Sequence, residues 1–276
     1  MSRAGGRRVG LAAAVPPPAL RRPKVALLAG TAEARALAEL LAAEGVPAVA
    51  SLAGATRRPA ALAVPTRHGG FGGEAAFAGW LRAEAFDALL DATHPFAETM
   101  ARRAARVARA LGLPHRRLLR PGWTAEPGDR WTRVAREEEA ARHIPAGATV
   151  FLATGAGTLA RFAGLDAWLI CRRIDPPLEP FPLRGRWLVG RPPFAVEDEV
   201  ALFRRLGVDW LVVKDSGGEA SRPKLLAARA LGLPVLVIDR PPPPLGERVE
   251  TPEEALHWIR SLPRPACPRP ACPRPA

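Results

Sequence analysis

The stretch from Lys24 to Glu44 reads K-V-A-L-L-A-G-T-A-E-A-R-A-L-A-E-L-L-A-A-E. Val25 to Ala29 form an unbroken apolar run of strand length, as in a parallel sheet that helices cover on both faces. After Gly30-Thr31 the spacing of apolar residues becomes helical. The apolar positions of that helix are Ala34, Leu37, Leu40 and Leu41. The stretch therefore predicts a βα unit.

The junction at Gly30-Thr31 is a candidate phosphate site. Free backbone N–H groups and the positive end of the helix dipole point there, and Gly30 lets a pyrophosphate come close to the backbone. The full dinucleotide fingerprint has three glycines, whereas Ala29, Gly30 and Ala34 supply one. An ordinary βα turn without a ligand is the alternative.

The same alternation of strand and helix continues along the chain. Further strands are predicted at Val46 to Leu52, Phe86 to Leu90, His115 to Leu119, Thr149 to Ala153, Ala167 to Cys171, Trp187 to Val189, Trp210 to Val213 and Val235 to Ile238. Helical patterns follow most of them, which favours a parallel α/β architecture in two similar halves. We expect an N-terminal domain at 24–143 and a C-terminal domain at 144–262.

Both ends of the chain have the composition of disordered segments. Residues 1–23 mix Gly, Arg, Ala and Pro, and residues 263–276 repeat Pro-Arg-Pro-Ala-Cys. These ends also hold much of the positive charge, because 1–23 carries five arginines and 260–276 carries four, with no acid in either. The formal charge of +13 is thus concentrated outside the fold, and we do not expect a nucleic-acid groove.

Cysteines and hydropathy bear on the compartment. Cys171 is the single cysteine of the body, so the sequence predicts neither a disulfide framework nor a metal site. No run approaches the roughly 18 uninterrupted apolar residues of a membrane span. We expect a cytoplasmic protein that binds no membrane.

Polar or glycine-rich segments follow several predicted strands. Arg57-Arg58 stand where an acid would hold the ribose of NAD, so a bound dinucleotide is expected to be NADPH, although a solvated arginine pair explains them equally well. Other candidate segments are Arg67 to Gly73, Asp91 to Ala97, Arg120 to Trp123 and Lys214 to Gly218. For each of these segments, an ordinary connector or helix cap is the alternative interpretation.

Together these segments resemble the precorrin-6A reductase family of cobalamin biosynthesis. The matching motifs are Gly30-Thr31-Ala32-Glu33-Ala34-Arg35, Gly69-Gly70-Phe71-Gly72-Gly73, Asp91-Ala92-Thr93-His94-Pro95-Phe96-Ala97, Arg120-Pro121-Gly122-Trp123, and Lys214-Asp215-Ser216-Gly217-Gly218 with Lys224. They occur in the family's order between about Lys24 and Pro241. Two positions depart from the pattern: Pro192 precedes Pro193-Phe194 where Gly is expected, and Asp215 stands where Asn is common.

The resemblance implies an α/β fold of two Rossmann-like parallel-sheet domains with a ligand cleft between them. It also implies an enzyme that reduces precorrin-6A to precorrin-6B with a nicotinamide cofactor, NADPH or alternatively NADH, hydride going to C19 of the macrocycle and a proton to C18. Such a substrate carries many carboxylates, which a cationic cleft would attract.

Site roles follow from the resemblance as hypotheses. The catalytic candidates are His94, as proton donor, and Lys214. The cofactor-binding candidates are Gly30, Thr31, Glu33, Arg35, Arg57, Gly70, Phe71, Gly72, Asp91, Thr93, Ser216, Gly217 and Gly218. The substrate-binding candidates are Arg67, Arg120, Arg191 and Lys224. No resident metal is expected.

Three alternatives remain open at the level of sequence. The same fold could reduce cobalt-precorrin-6A with NADH. A non-catalytic carrier of nucleotides or tetrapyrroles would bind its ligand without oxidising a cofactor. A nucleic-acid-binding protein is disfavoured by the charge distribution. The expected partners are the tetrapyrrole substrate and neighbouring enzymes of the corrin pathway, and the expected state is a monomer.

Overall fold

A computed structural model describes residues 20–54 and 60–266. The strands are β1 (Val25–Leu28), β2 (Ala48–Leu52), β3 (Thr66–His68), β4 (Ala88–Asp91), β5 (His115–Leu118), β6 (Arg130–Val134), β7 (Thr149–Ala153), β8 (Trp168–Arg173), β9 (Gly185–Val189), β10 (Trp210–Lys214), β11 (Pro234–Ile238) and β12 (Arg248–Val249). The α-helices are α1 (Ala32–Ala43), α2 (Glu74–Ala83), α3 (Glu98–Leu111), α4 (Val196–Leu206), α5 (Pro223–Ala230) and α6 (Pro252–Ser261). Short 3-10 helices span Glu137–Arg142, Ala156–Phe162 and Glu219–Ser221.

The strands form two six-stranded sheets. The first has the order β12-β5-β4-β1-β2-β3 and the second β6-β11-β10-β7-β8-β9. Neighbouring strands within the two sheets run parallel. The predicted class, two parallel α/β sheets, is confirmed.

Helices cover both faces of each sheet, which explains the continuous apolar strands. On the first sheet α1 and α6 pack on one face and α2 and α3 on the other. On the second sheet the two longer 3-10 helices cover one face and α4 and α5 the other. Thr31 begins α1, as its hydroxyl accepts the Ala34 amide at 3.1 Å.

The two halves exchange elements, so the predicted division at residue 143 is wrong in this respect. β6 lies before that boundary but pairs along its length with β11 of the second sheet. β12 and α6 lie in the predicted C-terminal domain but belong to the first half, where β12 pairs with β5 and α6 packs against α1. Local apolar spacing reports that a strand exists and carries no information on which sheet receives it.

The chain passes from the first sheet to the second between β5 and β6, and it returns between β11 and β12. Both connecting segments meet at Arg240. Its guanidinium donates to the carbonyls of Arg120 and Pro121, at 2.7 and 2.8 Å, and to the carbonyl of Asp215 at 2.7 Å. The segment that leaves the first sheet and the one that returns to it are thereby tied to the loop after β10.

Other differences from the sequence-based expectation are local. Arg67 and His68 lie in β3 and not in a loop. Residues 20–23 and 263–266 contact each other and the fold: Leu20 and Ala266 form an antiparallel bridge, and Arg21 pairs with Asp87 at 2.6 Å. The remainder of both predicted tails, and Arg57, lie outside the described residues. Among the helices of the described ranges, none has the length and apolarity needed to cross a bilayer.

Candidate active site

A cavity of about 310 Å³ lies where the loop after β4 meets the carboxyl ends of β7 and β10. It is lined by His94, Trp123, Ala153, Thr154, Gly155, Val213, Lys214, Ser216, Ser221 and Lys224. The cavity therefore unites four of the predicted site residues, His94 from the first half and Lys214, Ser216 and Lys224 from the second. Ligand sites in open α/β sheets form at such strand ends.

The loop that carries His94 is fixed from beneath by a buried ion pair. Asp91, fully buried, accepts the amide and the hydroxyl of Thr93 at 3.0 and 2.6 Å through Oδ1. Its Oδ2 lies 3.5 Å from Nε of Arg117, which donates to the carbonyls of His94 and Pro95 at 3.5 and 3.4 Å. Asp91 thus has no surface to offer a cofactor; it holds the loop.

His94 is a neutral imidazole at neutral pH. Nδ1 accepts the Phe96 amide at 3.2 Å, so the ring hydrogen is assigned to Nε2. Burial, the largest cause, and the nearby charges of Arg120, Lys214, Arg240 and Arg117 together lower the pKa of His94 to about 4. The same cations make the cavity attractive to an anionic ligand.

Lys214 ends β10 and is one of the residues that line the cavity. Nζ lies 5.0 Å from the centre of the Phe96 ring and 3.7 Å from the Glu137 carboxylate. Burial lowers the pKa of Lys214, Glu137 raises it, and Arg161 lowers it.

Lys224 lies deeper in the same wall. Its Nζ donates to the Ser221 carbonyl at 2.8 Å. Burial lowers the pKa of Lys224 to about 8, opposed by the charge of Glu199 and supported by that of Arg172. Glu199 and Arg172 form a buried bidentate pair at 2.5 and 2.6 Å.

Glu33 and Arg120 are partners of each other and bridge the two halves. Glu33, in the first turn of α1, forms an ion pair with Arg120, whose Nε also donates to the Ser216 carbonyl at 2.6 Å. Thr31 donates its hydroxyl to the Ala92 carbonyl at 3.0 Å. These contacts place the N-terminus of α1 beside the loops that carry His94 and Ser216.

The loop after β10 packs against the segment that connects β5 to β6, and at two glycines this contact leaves no room for a side chain. At Gly217, with φ of +68°, an added Cβ would overlap the Pro121 carbonyl and the Arg240 guanidinium. At Gly122 a Cβ would lie 2.8 Å from the Asp215 carboxylate. Asp215 accepts the Trp123 amide at 2.9 Å and pairs with Arg133 at 2.6 Å. The Asp at this position is thus fully engaged in holding the two halves together.

The glycine-rich loop packs at the end of β2. Arg67 donates to the Ser51 hydroxyl and to the Gly69 carbonyl, each at 2.9 Å, and to the Gly70 carbonyl at 3.3 Å. Its guanidinium lies 4.0 Å from the centre of the Phe71 ring. Phe71 in turn contacts aromatic rings of α2. Arg67 therefore orders this loop.

Some predicted residues lie apart from the cavity. Arg35 donates to the Ala61 carbonyl at 2.7 Å, in the segment between β2 and β3. Arg191 lies 3.6 Å from Asp175. Gly70, Phe71 and Gly72 belong to the loop beside β2 and line no part of the cavity.

Several residues that build the site are not among those predicted from the sequence. Thr154-Gly155 follow a buried strand in the same way as Gly30-Thr31, a signal that could have identified them. Glu137 and Arg117 carried no such signal, because their partners Lys214 and Asp91 are distant in sequence.

Comparisons with known proteins agree with this geometry. A curated relative from Rhodococcus erythropolis, "Precorrin-6A reductase", is 46% identical over 245 residues, which cover 87% of this chain and 99% of the relative. "Cobalt-precorrin-6A reductase" of Priestia megaterium is 30% identical over 248 residues, covering 84% and 96%. The solved structure "CobK precorrin-6A reductase" matches with a TM-score of 0.83 and 40% identity, covering 86% of this chain and 96% of that one.

A family model described as "Precorrin-6x reductase CbiJ/CobK" matches residues 24–260. The match spans both sheets and contains the cavity residues, His94, Lys214, Ser216 and Lys224 among them. The chain therefore belongs to the precorrin-6x reductase family, a family of oxidoreductases.

Proposed function

We propose that this protein is the precorrin-6A reductase of a cobalamin pathway and that it reduces the metal-free macrocycle with NADPH, giving precorrin-6B. The observation that carries the proposal is the cavity between the halves, in which residues of the family's separate motifs converge. The 46% identity to a precorrin-6A reductase, against 30% to a cobalt-precorrin-6A reductase, supports the metal-free substrate.

The N-terminus of α1 fits the phosphates of a nicotinamide cofactor. Gly30 has φ of +150°, and a Cβ added there would meet no atom within 4 Å, so the backbone is open to a ligand. The first amides of a helix have no acceptor within it and attract anions. Gly30 and Thr31 would hold the phosphates. The bound cofactor would supply hydride; the protein's part is to bind and orient.

The surroundings of β2 favour NADPH over NADH. Residues 53–65 contain no acid to accept ribose hydroxyls. Two guanidinium groups contact β2 or the segment that follows it instead: Arg67 donates to Ser51 of β2, and Arg35 donates to Ala61. We propose that Arg35 and Arg67 face the 2′-phosphate, with Arg57 as a third candidate outside the described residues. Gly70, Phe71 and Gly72 would close over the cofactor, and Thr93, Ser216, Gly217 and Gly218 would border the nicotinamide.

Cations of the second half would bind the carboxylates of the macrocycle. Lys214 and Lys224 line the cavity, and Arg120 lies beside it on the Ser216 carbonyl. Arg191 would extend this cationic surface. Charge-assisted contacts of this kind orient a substrate as well as bind it.

We assign the proton delivered to C18 to Lys214. Hydride would arrive at C19, and the adjoining carbon must then gain a proton. His94 has a pKa of about 4 and so lacks a surplus proton at neutral pH, whereas Lys214 is a cation whose acidity burial increases. His94 would donate a hydrogen bond from Nε2 and thereby orient the macrocycle.

We propose a monomer as the working unit. We further propose a cytoplasmic location, where corrin intermediates would pass between neighbouring enzymes.

The experiment is anaerobic cofactor oxidation with four combinations: NADPH or NADH, each with precorrin-6A or its cobalt complex. We expect fastest oxidation with NADPH and the metal-free substrate, coupled to a product that has gained two hydrogen atoms. Preference for NADH and the cobalt complex would reverse the specificity, and tight binding without oxidation in any arm would favour a carrier.

A further inference from the structure

Glu137 is a buried carboxylate held between two cations. It begins the 3-10 helix that follows β6 and is 6% exposed. Oε1 lies 3.7 Å from Lys214 Nζ, and Oε2 lies 3.5 Å from Arg161 Nη1. A buried carboxylate needs such partners, because an unpaired charge in the interior is strongly unfavourable.

The two partners of Glu137 lie on different sides of it. Lys214 lines the cavity between the halves. Arg161 and Glu137 line a separate cavity of about 420 Å³ between the two longer 3-10 helices. Glu137 therefore contacts one cation that lines each cavity, Lys214 in the first and Arg161 in the second.

We propose that Glu137 is the positioning residue of Lys214: its carboxylate fixes the ammonium at the wall of the cavity and keeps it charged for the reaction. The proposal rests on the proposed function for the role of Lys214 in the reaction. The placement itself rests on the contacts of Glu137, which need no substrate.

The charges around Lys214 explain why this carboxylate matters. Arg161 faces it from the second 3-10 helix, and Lys224 and His94 face it across the cavity; none of these is an anion. Among the groups acting on Lys214, Glu137 alone favours its charged form, opposing both burial and Arg161. Removal of the carboxylate would leave Lys214 and Arg161 to repel each other.

The scarcity of lysine permits a direct measurement. The chain contains three lysines, Lys24, Lys214 and Lys224. Reductive methylation with ¹³C-formaldehyde would give each a separate NMR signal, assigned with Lys214→Arg and Lys224→Arg. Lys24, which pairs with Glu84 at 2.7 Å far from the cavity, is the internal reference.

The titration is compared in the parent, Glu137→Gln, Glu137→Asp and Glu138→Gln. We expect the Lys214 midpoint to move to lower pH in Glu137→Gln, to return toward the parent value in Glu137→Asp, and to stay in place in Glu138→Gln. Glu138 is a matched control, because it also contacts Arg161, at 3.6 Å, but is exposed. An unchanged Lys214 midpoint in Glu137→Gln would overturn the proposal.

The pH profile of kcat/KM supplies the second readout. In Glu137→Gln the alkaline limb should move to lower pH together with the NMR midpoint, and Glu137→Asp should restore it. A shifted midpoint with an unshifted alkaline limb would refute the reaction role of Glu137. If the parent shows no turnover of precorrin-6A while the midpoint shifts, the proposed function fails and the placement of Lys214 by Glu137 stands.

Discussion

Burial lowers the pKa of both His94 and Lys214, but it has opposite effects on their ability to deliver a proton. It removes the charge of His94 at neutral pH, leaving a hydrogen-bond donor at Nε2. It makes the ammonium of Lys214 a stronger acid while Glu137 keeps it charged. The two groups are thus suited to different tasks, orientation and proton delivery.

Lys214→Met should lower kcat by about 10²–10⁴-fold, the range for loss of a positioned proton donor. Lys214→Arg keeps the charge but holds its proton too tightly to deliver it, so substrate binding should be retained and turnover lost. Single-turnover oxidation of NADPH measures this. Parent-like turnover in Lys214→Met would remove the residue from the reaction.

His94→Gln should keep turnover at pH 7 within about tenfold of the parent, less than expected for an acid catalyst. It should also flatten the acid side of the stability curve. The folded-state pKa of His94 is about 4 and the ordinary value 6.5, so the unfolded chain takes up the proton first and stability falls as pH drops through this window.

Glutamine does not titrate, so the variant should lose less stability than the parent between pH 6.5 and 4. Urea unfolding at a series of pH values measures the difference. Equal acid sensitivity in the two proteins would show that the fold does not lower the pKa of His94.

At the scale of elements, the site is made of loops that follow parallel strands and are locked by close approach. The loop after β10 contacts the segment between β5 and β6 at Gly217. Arg240, in the segment between β11 and β12, hydrogen-bonds to carbonyls of the β5–β6 segment. Positions of this kind accept only glycine, because φ is positive and no space remains for a Cβ.

Gly217→Ala should therefore lower the free energy of unfolding by about 1–3 kcal/mol or more and reduce kcat/KM, since the backbone must shift beside Ser216. Gly232→Ala is the matched control: φ is +64°, but no atom lies within 4 Å of the added Cβ. Its cost should be confined to the backbone conformation, about 1 kcal/mol. Equal costs, measured by urea unfolding, would contradict the close approach.

Most of the strands and helices could be predicted from the sequence, because apolar strands and amphipathic helices carry periodic signals. Val25 to Ala29 and the helix after it were found in this way, and the polar strand ends around His94 and Lys214 do converge. Asp91 lies at the predicted strand end, but its side chain is fully buried. Its burial depends on Arg117, and no local pattern reports such a distant partner.

At the scale of the whole molecule, the halves are interlocked by exchange. β6 extends the second sheet, while β12 and α6, at the far end of the chain, complete the first. β12 has two residues and β6 (Arg-Trp-Thr-Arg-Val) has no regular alternation of polar and apolar side chains, so neither could be assigned to a sheet before long-range pairing was known.

Trp258→Ala tests this connectivity. Trp258 of α6 is 7% exposed and packs in the core beneath β1, so truncation should cost about 3–5 kcal/mol. Hydrogen exchange should accelerate in β1 and β4 more than in β10 and β11. Trp168→Ala, at a 40% exposed tryptophan of β8, should cost far less. Loss of protection centred on the second sheet would contradict the exchange.

The central claim is hydride transfer from NADPH to precorrin-6A within the cavity between the halves. The most direct test is reaction with [4-²H]NADPH in ordinary water, followed by ²H NMR of the product, with both C4 stereoisomers of the cofactor compared. If NADPH transfers hydride to C19 in this cavity, one stereoisomer delivers a single deuterium to C19 and none to C18, which takes its hydrogen from solvent. Product formed without deuterium from either stereoisomer, or deuterium found at C18, would contradict it.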